Sequence, residues 1–315
     1  MKIAINISAL DYGDVCFSDF EKLGEVKYFG EVSKDELYSL AADCDALIIN
    51  KIAVDEQLLV SCPNIKYIGL FSTGYNLIDI EACKKHGVTV CNAPDYSTNS
   101  VSQHTFALLL NFYGAINKYT SSVAGGDWIK SETFSYYLAP MHELYGKTFG
   151  VFGYGNIGKA VAKIAAAFGA EVIVCSRTKP VDCPYKTVDF ETLLTTSDIL
   201  SLHCPLNQAT AKIINAEALS KMKQNCVLIN TARGGLIDEA ALTDALNGGR
   251  IAGACLDTVS EEPMKKDNPL VNAKNCLITP HIAWMPKETR QRLIGTVAAN
   301  LGAFIDGNPR NVITK

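Results

Sequence analysis

Short β-branched runs recur along the whole 315-residue chain, and longer stretches of helical periodicity separate them. Parallel strands need a crossover between them, and a helix supplies it, so this alternation points to parallel sheets built from βαβ units. The first third supplies Lys2–Ile7, Ala46–Asn50, Ile65–Phe71 and Val88–Cys91 as strands, with helices expected at Lys34–Ala42 and Ile78–His86. A second series runs through Thr148–Phe152, Glu171–Cys175, Ile199–His203, Val227–Asn230, Ile251–Leu256 and Cys276–Thr279. Between the two series one long helix is expected from Val101 to about Val123, punctuated by Gly125 and Gly126, and another closes the chain from Lys287 to Ile305. The length is about twice that of an ordinary single domain. Two α/β domains are therefore expected, one made of residues 1–98 with 286–315 and the other, 99–285, inserted into it.

Composition removes several classes of function. Lys and Arg total 29 against 33 for Asp and Glu, so the chain lacks the electrostatic footprint of a nucleic-acid binder. The longest charge-free stretch, Tyr96 to Asn117, carries Ser, Thr, Asn, Gln and His and fails as a bilayer span. No secretory pattern follows the first strand. The 11 cysteines are scattered, with no CxxC pair or Cys/His ligand cluster, so no metal is expected. Cys91, Cys175, Cys226 and Cys255 sit inside apolar runs and read as reduced, buried thiols of a cytoplasmic protein.

Gly153-Tyr154-Gly155-Asn156-Ile157-Gly158 follows the strand TFGVF and opens the helical run NIGKAVAKIAAAFG. In that context GxGxxG reads as a dinucleotide loop. Gly153 permits the tight turn, Gly155 the approach of pyrophosphate to backbone, and Gly158 close packing of helix on strand. The anion then sits on a helix N-terminus, where N–H groups and the dipole favour it. At the end of the next strand an NAD site wants a carboxylate for the ribose 2′-hydroxyl. Here that place reads Ser176-Arg177-Thr178, and a guanidinium beside two hydroxyls suits a 2′-phosphate instead. NADP is thus expected in preference to NAD, with Lys179 adding positive charge or merely facing water. A solvated Arg177 is the alternative.

Ligands of open parallel sheets bind beyond the carboxyl ends of the strands. VLIN is followed there by Arg233, IAGACL by Asp257 and then Glu261-Glu262-Pro263, and CLIT by His281, so an Arg, a carboxylate and a His emerge at one edge. Arg is a planar, permanently charged fork for a carboxylate and can polarise a carbonyl. His can give the proton that a new hydroxyl needs and take it back on oxidation, and a carboxylate orients that imidazole. The three types together suit hydride exchange with a ketone beside a carboxylate. Singly, each has a bland reading as a surface pair, a solvated acid or a loop cap.

The motifs GYGNIG (153–158), LHCPLNQAT (202–210), NTARGGLID (230–238) and TPHIAW (279–284), with the spacing from Asp257 to Glu262-Pro263, resemble the D-2-hydroxyacid dehydrogenase family. AGGDW at 124–128 and TPHIAW look most like its glycerate dehydrogenase, or hydroxypyruvate reductase, branch. The resemblance implies a Rossmann-type cofactor domain inserted into a flavodoxin-like substrate domain, both doubly wound. It implies that Arg233 binds the substrate carboxylate and carbonyl, that His281 is the acid/base and Glu262 its partner. The backbone of Thr73 and Gly74 would hold the substrate carboxylate, and Asp257 would meet the nicotinamide carboxamide. Cys204, Pro205 and Thr210 would line the adenosine side, with the backbone of Thr231 and Ala232 near the cofactor. Members are usually dimers, joined here through residues 101–140, from which Trp128 would either project toward the partner's active site or, the role more usual for a Trp, serve as a core or interface anchor. The family commonly has Asp where Asn76 stands and Glu where Gln103 stands, neither of them chemical players. Formate dehydrogenases of this fold place Gln at the position of Glu262.

The resulting expectation is reduction of a small 2-ketoacid, hydroxypyruvate or glyoxylate, to the D-2-hydroxyacid. An NAD-dependent dehydrogenase of a bulkier acid such as lactate is the alternative within enzymes. A cofactor-sensing, corepressor-like protein is the alternative outside them, and the complete Arg/Glu/His set argues against it. His104 reads as a polar packing residue on its helix, and His203 as a second candidate for cofactor contact.

Overall fold

The computed structural model describes residues 1–178 and 181–314. It divides into two compact units, one of Met1–Ser97 with Trp284–Lys315 and one of Thr98–Ala283. The second is an insertion in the first.

The first unit holds a five-stranded parallel sheet of β1 (Lys2–Asn6), β2 (Glu25–Phe29), β3 (Ala46–Ile49), β4 (Tyr67–Leu70) and β5 (Thr89–Cys91). The strands lie in the order β2-β1-β3-β4-β5. Period-two alternation sends Ala4, Leu47, Ile49, Ile68 and Val90 into one core, with Leu37, Leu58 and Ala82 from three helices. Ile3, Ile5, Ala46, Ile48 and Tyr67 point into the opposite core against Leu293, Val297 and Leu301 of the closing helix Lys287–Ile305. Both faces are covered, so the central strands read as unbroken apolar runs. After that helix the chain returns to β5, where Ile313 N–H donates to the Val90 carbonyl at 2.9 Å.

The inserted unit holds seven parallel strands, β6 (Thr148–Phe152), β7 (Glu171–Cys175), β8 (Lys186–Thr187), β9 (Ile199–Leu202), β10 (Val227–Asn230), β11 (Gly253–Leu256) and β12 (Cys276–Ile278). Their order is β12-β11-β10-β9-β6-β7-β8. Phe149, Val151, Ile199, Val227 and Ile229 pack against helices Thr98–Gly114 and Asn156–Ala167. Leu200, Leu202, Leu228 and Leu256 fill the other face, against helices that contribute Leu193, Leu219 and Leu242.

Three expectations change. β2 and β8 were not expected: β2 has only Phe29 buried among its five residues, and β8 is two exposed residues long. The helix expected from Val101 to Val123 is two helices, Thr98–Gly114 and Ile116–Ala124, because Ala115 between them takes φ +50°. A residue in the left-handed region cannot continue a right-handed helix. Among the described residues no helix is long and apolar enough to cross a membrane, and no cluster of His, Cys, Asp or Glu could hold a metal.

Candidate active site

The candidate cofactor and acid–base residues of the inserted unit, from Gly153 to His281, follow the carboxyl ends of strands of the seven-stranded sheet. The order of those strands reverses between β6 and β9, and a crevice at such a reversal is where open α/β sheets take their ligands. The loops leaving these two strands touch. A Cβ at Gly153, where φ is +98°, would sit 2.6 Å from the His203 carbonyl carbon and the Cys204 nitrogen. Gly158 has another constraint, since a Cβ there would run into the Gly153 carbonyl oxygen.

Gly155 is the opposite case. It caps helix Asn156–Ala167, adds no side-chain acceptor, and has nothing within 4 Å of where a Cβ would stand. The backbone at this helix N-terminus therefore forms an open cradle, which fits a dinucleotide pyrophosphate. Tyr154 and Ile157 flank it, packed against the core beneath. Ser176, Arg177 and Thr178 follow β7, the neighbour of β6. The Ser176 hydroxyl donates to the Thr178 carbonyl at 2.7 Å, while Arg177 and Thr178 are exposed. No carboxylate ends β7, and the next described strand-end acid, Asp189, caps helix Phe190–Thr196. Lys179 lies outside the described residues.

After β9, His203 stands beside Ser201, with Nε2 2.8 Å from the hydroxyl oxygen, and burial pushes its pKa down to about 3. The imidazole is therefore neutral. Cys204 is buried and its thiol pushed up to about 11, chiefly by desolvation. Thr210 closes a turn by donating to the Pro205 carbonyl at 2.7 Å, and Pro205 is exposed.

The loop after β10 is built by Asn230, which the sequence reading passed over. Its side chain donates to the Arg233 carbonyl at 2.8 Å and accepts from Ala232 N–H at 3.0 Å. Thr231 is buried with its hydroxyl 3.1 Å from that of Thr105. The Arg233 guanidinium donates to the Ala232 carbonyl at 2.7 Å, one use among its five N–H donors.

Asp257, read as a partner for the nicotinamide carboxamide, is 1% exposed, and its carboxylate serves the loop after β12. Oδ1 accepts from the Thr279 hydroxyl at 2.6 Å and Ile282 N–H at 2.9 Å, and Oδ2 from Ala283 N–H at 2.9 Å. Burial alone would raise its pKa. The bonds from His104, Thr279 and the two amides outweigh that and hold it below the usual range. Between these contacts stands His281 at φ +55°, its N–H donating to the Asp257 carbonyl at 2.8 Å. A β-carbon in the left-handed region is strained, so the loop must hold it there.

His281 Nδ1 lies 2.6 Å from Glu262 Oε2, and both side chains are 27% exposed. A carboxylate only accepts, so Nδ1 carries the proton and donates, which leaves Nε2 for chemistry. Glu262 belongs to a loop secured by Glu239. That carboxylate accepts from Ser260 N–H at 2.6 Å, the Ser260 hydroxyl at 2.7 Å and the Asn268 amide at 2.9 Å. Arg233, Glu262 and His281 thus leave three adjacent strands at one edge.

In the first unit Thr73 and Gly74 follow β4. The Thr73 hydroxyl donates to the Ala93 carbonyl at 2.7 Å, and the Thr73 and Gly74 carbonyls accept from Asn92 and Ser72. Among the described residues neither backbone N–H has an acceptor. In the segment after Ala115, Ile129 and Phe134 are 89% and 90% exposed, and Trp128 donates to the Phe134 carbonyl at 3.1 Å.

Residues 106–283 match the family model described as D-isomer specific 2-hydroxyacid dehydrogenase, NAD binding domain. The chain is 41% identical over 314 residues to a hydroxypyruvate reductase of Blautia hydrogenotrophica, covering 97% of each. It is 40% identical over 289 residues to a glycerate dehydrogenase of Methylorubrum extorquens, covering 91% of each. Among solved structures, the acyclic imino acid reductase Bsp5, in complex with NADPH and D-Arg, matches with TM-score 0.87 and 32% identity over 99% of this chain and all of that one.

Proposed function

The chain belongs to the D-isomer specific 2-hydroxyacid dehydrogenase family, and we propose that it reduces hydroxypyruvate or glyoxylate to the D-2-hydroxyacid, preferring NADPH to NADH. That it is an NAD(P)-dependent oxidoreductase follows from the family. The observation that carries the finer reading is the 2.6 Å pair of His281 and Glu262, on strands next to the one that delivers Arg233. The relatives named hydroxypyruvate reductase and glycerate dehydrogenase support a small, hydroxylated acid.

The bound cofactor supplies the hydride. The Gly153–Gly158 loop would hold its pyrophosphate, and Ser176, Arg177 and Thr178 a 2′-phosphate. Cys204, Pro205 and Thr210 would line the adenosine side, with the backbone of Thr231 and Ala232 near the nicotinamide. Asp257 would act on that side through the loop it holds.

Arg233 grips the substrate carboxylate with two parallel N–H donors and reaches the carbonyl oxygen, where negative charge develops. For substrate binding by the first unit we name the N–H groups of Thr73 and Gly74, which suit a carboxylate. His281 gives its Nε2 proton to that oxygen in reduction and takes it back in oxidation. Glu262 holds Nδ1–H throughout and stabilises the imidazolium. We assign substrate binding to the unit of residues 1–97 and 284–315 and cofactor binding to 98–283. We also infer a cytoplasmic location, a reading that the eleven free thiols support, since thiols stay reduced in such a compartment.

Chiral analysis of the glycerate formed from hydroxypyruvate and NADPH tests the reading. The D-isomer alone is expected, and L-glycerate or a racemate would overturn it. Arg177→Ala should lower the ratio of kcat/KM with NADPH to that with NADH by about 10- to 100-fold, the loss of a charge-assisted pair of bonds. An unchanged ratio removes Arg177 from cofactor choice.

We further propose a homodimer joined through residues 101–140, because large apolar side chains this exposed mark an interface. Light scattering at micromolar concentration should give twice the chain mass for the protein and one chain mass for Ile129→Asp/Phe134→Asp. A wild-type monomer would refute the dimer.

A further inference from the structure

The acid–base loop has a support that none of its motif residues explains. His104, on helix Thr98–Gly114, places Nε2 2.9 Å from the Thr279 hydroxyl oxygen and 3.4 Å from Asp257 Oδ1. The direction of these bonds is fixed. Thr279 has one hydroxyl proton, and at 2.6 Å it goes to Asp257 Oδ1. Toward His104 the hydroxyl therefore offers only a lone pair, and the carboxylate is an acceptor as well. His104 Nε2 must carry a proton and donate. A chain of donors results, from His104 Nε2–H to Thr279 Oγ1–H to Asp257 Oδ1.

Asp257 is the group that holds both flanks of the strained His281. Its carbonyl takes the His281 N–H, and its carboxylate takes the next two amides, Ile282 and Ala283. Whatever orients that carboxylate orients the acid/base. The same helix reaches the neighbouring loop, since Thr105, with no exposed surface, gives its own proton to the Val101 carbonyl and so accepts from Thr231, two residues before Arg233. A residue kept only for packing would not need a fixed proton aimed at a buried carboxylate.

We propose that His104 is a positioning residue for catalysis, which through Thr279 and Asp257 sets the His281 loop in its working geometry. The proposal rests on the reading of His281 as the acid/base. Small displacements of a catalytic group cost rate more than binding, because the group acts fully only in the transition state.

The test uses the full-length enzyme with NADPH and hydroxypyruvate as probes, in His104→Leu, His104→Gln, Thr279→Val, the His104→Leu/Thr279→Val double variant and His281→Ala. His104→Leu and Thr279→Val should each lower kcat about 10-fold while KM for hydroxypyruvate moves by less than about threefold. Gln presents an amide N–H close to the place of Nε2, so His104→Gln should restore most of the rate. Because both residues act in one chain, the double variant should be no slower than either single one by more than about twofold. Multiplicative losses, a Gln variant as slow as the Leu variant, or single variants at the wild-type rate would each overturn the proposal. If His104→Leu does not fold, Thr279→Val alone decides, since it cuts the chain with His104 in place. His281→Ala separates the two readings. Retained turnover in it removes the acid–base role itself, whereas its loss beside wild-type rates in the other variants removes only the positioning role.

Discussion

His281→Ala should lower kcat for ketoacid reduction by about 10³-fold while leaving NADPH affinity within a few-fold. The size follows from the step removed. Hydride addition to a carbonyl leaves charge on oxygen, and without Nε2–H the proton must come from water, outside an oriented hydrogen bond. Affinity stays because the cradle at Gly155 and the β7 end lie on strands other than β12, which delivers His281. Glu262→Gln should be milder, about 10- to 100-fold, since the amide oxygen can still accept Nδ1–H but offers no charge to the imidazolium. Steady-state rates, fluorescence titration with NADPH and a melting curve for each variant separate the contributions. Turnover within a few-fold of wild type in His281→Ala would remove the proton-transfer role.

Arg233→Ala is the second large effect, a fall of about 10³-fold in kcat/KM, near 4 kcal/mol of transition-state stabilisation. Both parameters should suffer, KM because the carboxylate loses its fork and kcat because the carbonyl loses its electrophile. The loop itself should survive, since Asn230 holds the Arg233 backbone carbonyl and not its side chain. Arg233→Lys should recover only part of the loss, because an ammonium is a point charge without the parallel donors that match a carboxylate. Rates over a range of hydroxypyruvate concentrations check this. A variant altered in KM alone would confine Arg233 to ground-state binding.

Much of the frame was legible because it obeys short-range rules. Buried parallel strands read as apolar runs, and the chemistry-bearing types sit just past their ends, which is how Arg233, Glu262 and His281 can be picked out one loop at a time. β2 was missed for the converse reason, since Glu25 and Lys27 on a half-exposed edge strand break the apolar run. The break at Ala115 was missed because its left-handed backbone has no residue signature beyond the preceding Gly114.

The support of the site was the least legible part. Asn230, Glu239, Thr279 and His104 act through side-chain hydrogen bonds that fix loops, and His104 meets Thr279 across 175 residues of sequence. No periodicity marks such partners. The one available signal was a polar residue ending an apolar run, as Asn230 does in VLIN and Thr279 in CLIT. Arg290 is a further case in the first unit, almost fully buried and holding Asp14 through two N–H donors at 2.8 and 2.7 Å. From sequence alone it is one more basic residue on an amphipathic helix.

Initial rates of NADPH and NADH oxidation, measured in parallel with hydroxypyruvate, glyoxylate and pyruvate, test the proposed reaction most directly. The proposed reaction requires turnover with hydroxypyruvate or glyoxylate ahead of pyruvate, and a higher kcat/KM with NADPH than with NADH. Silence with every pair, or pyruvate as the best acid with NADH as the better cofactor, would contradict it.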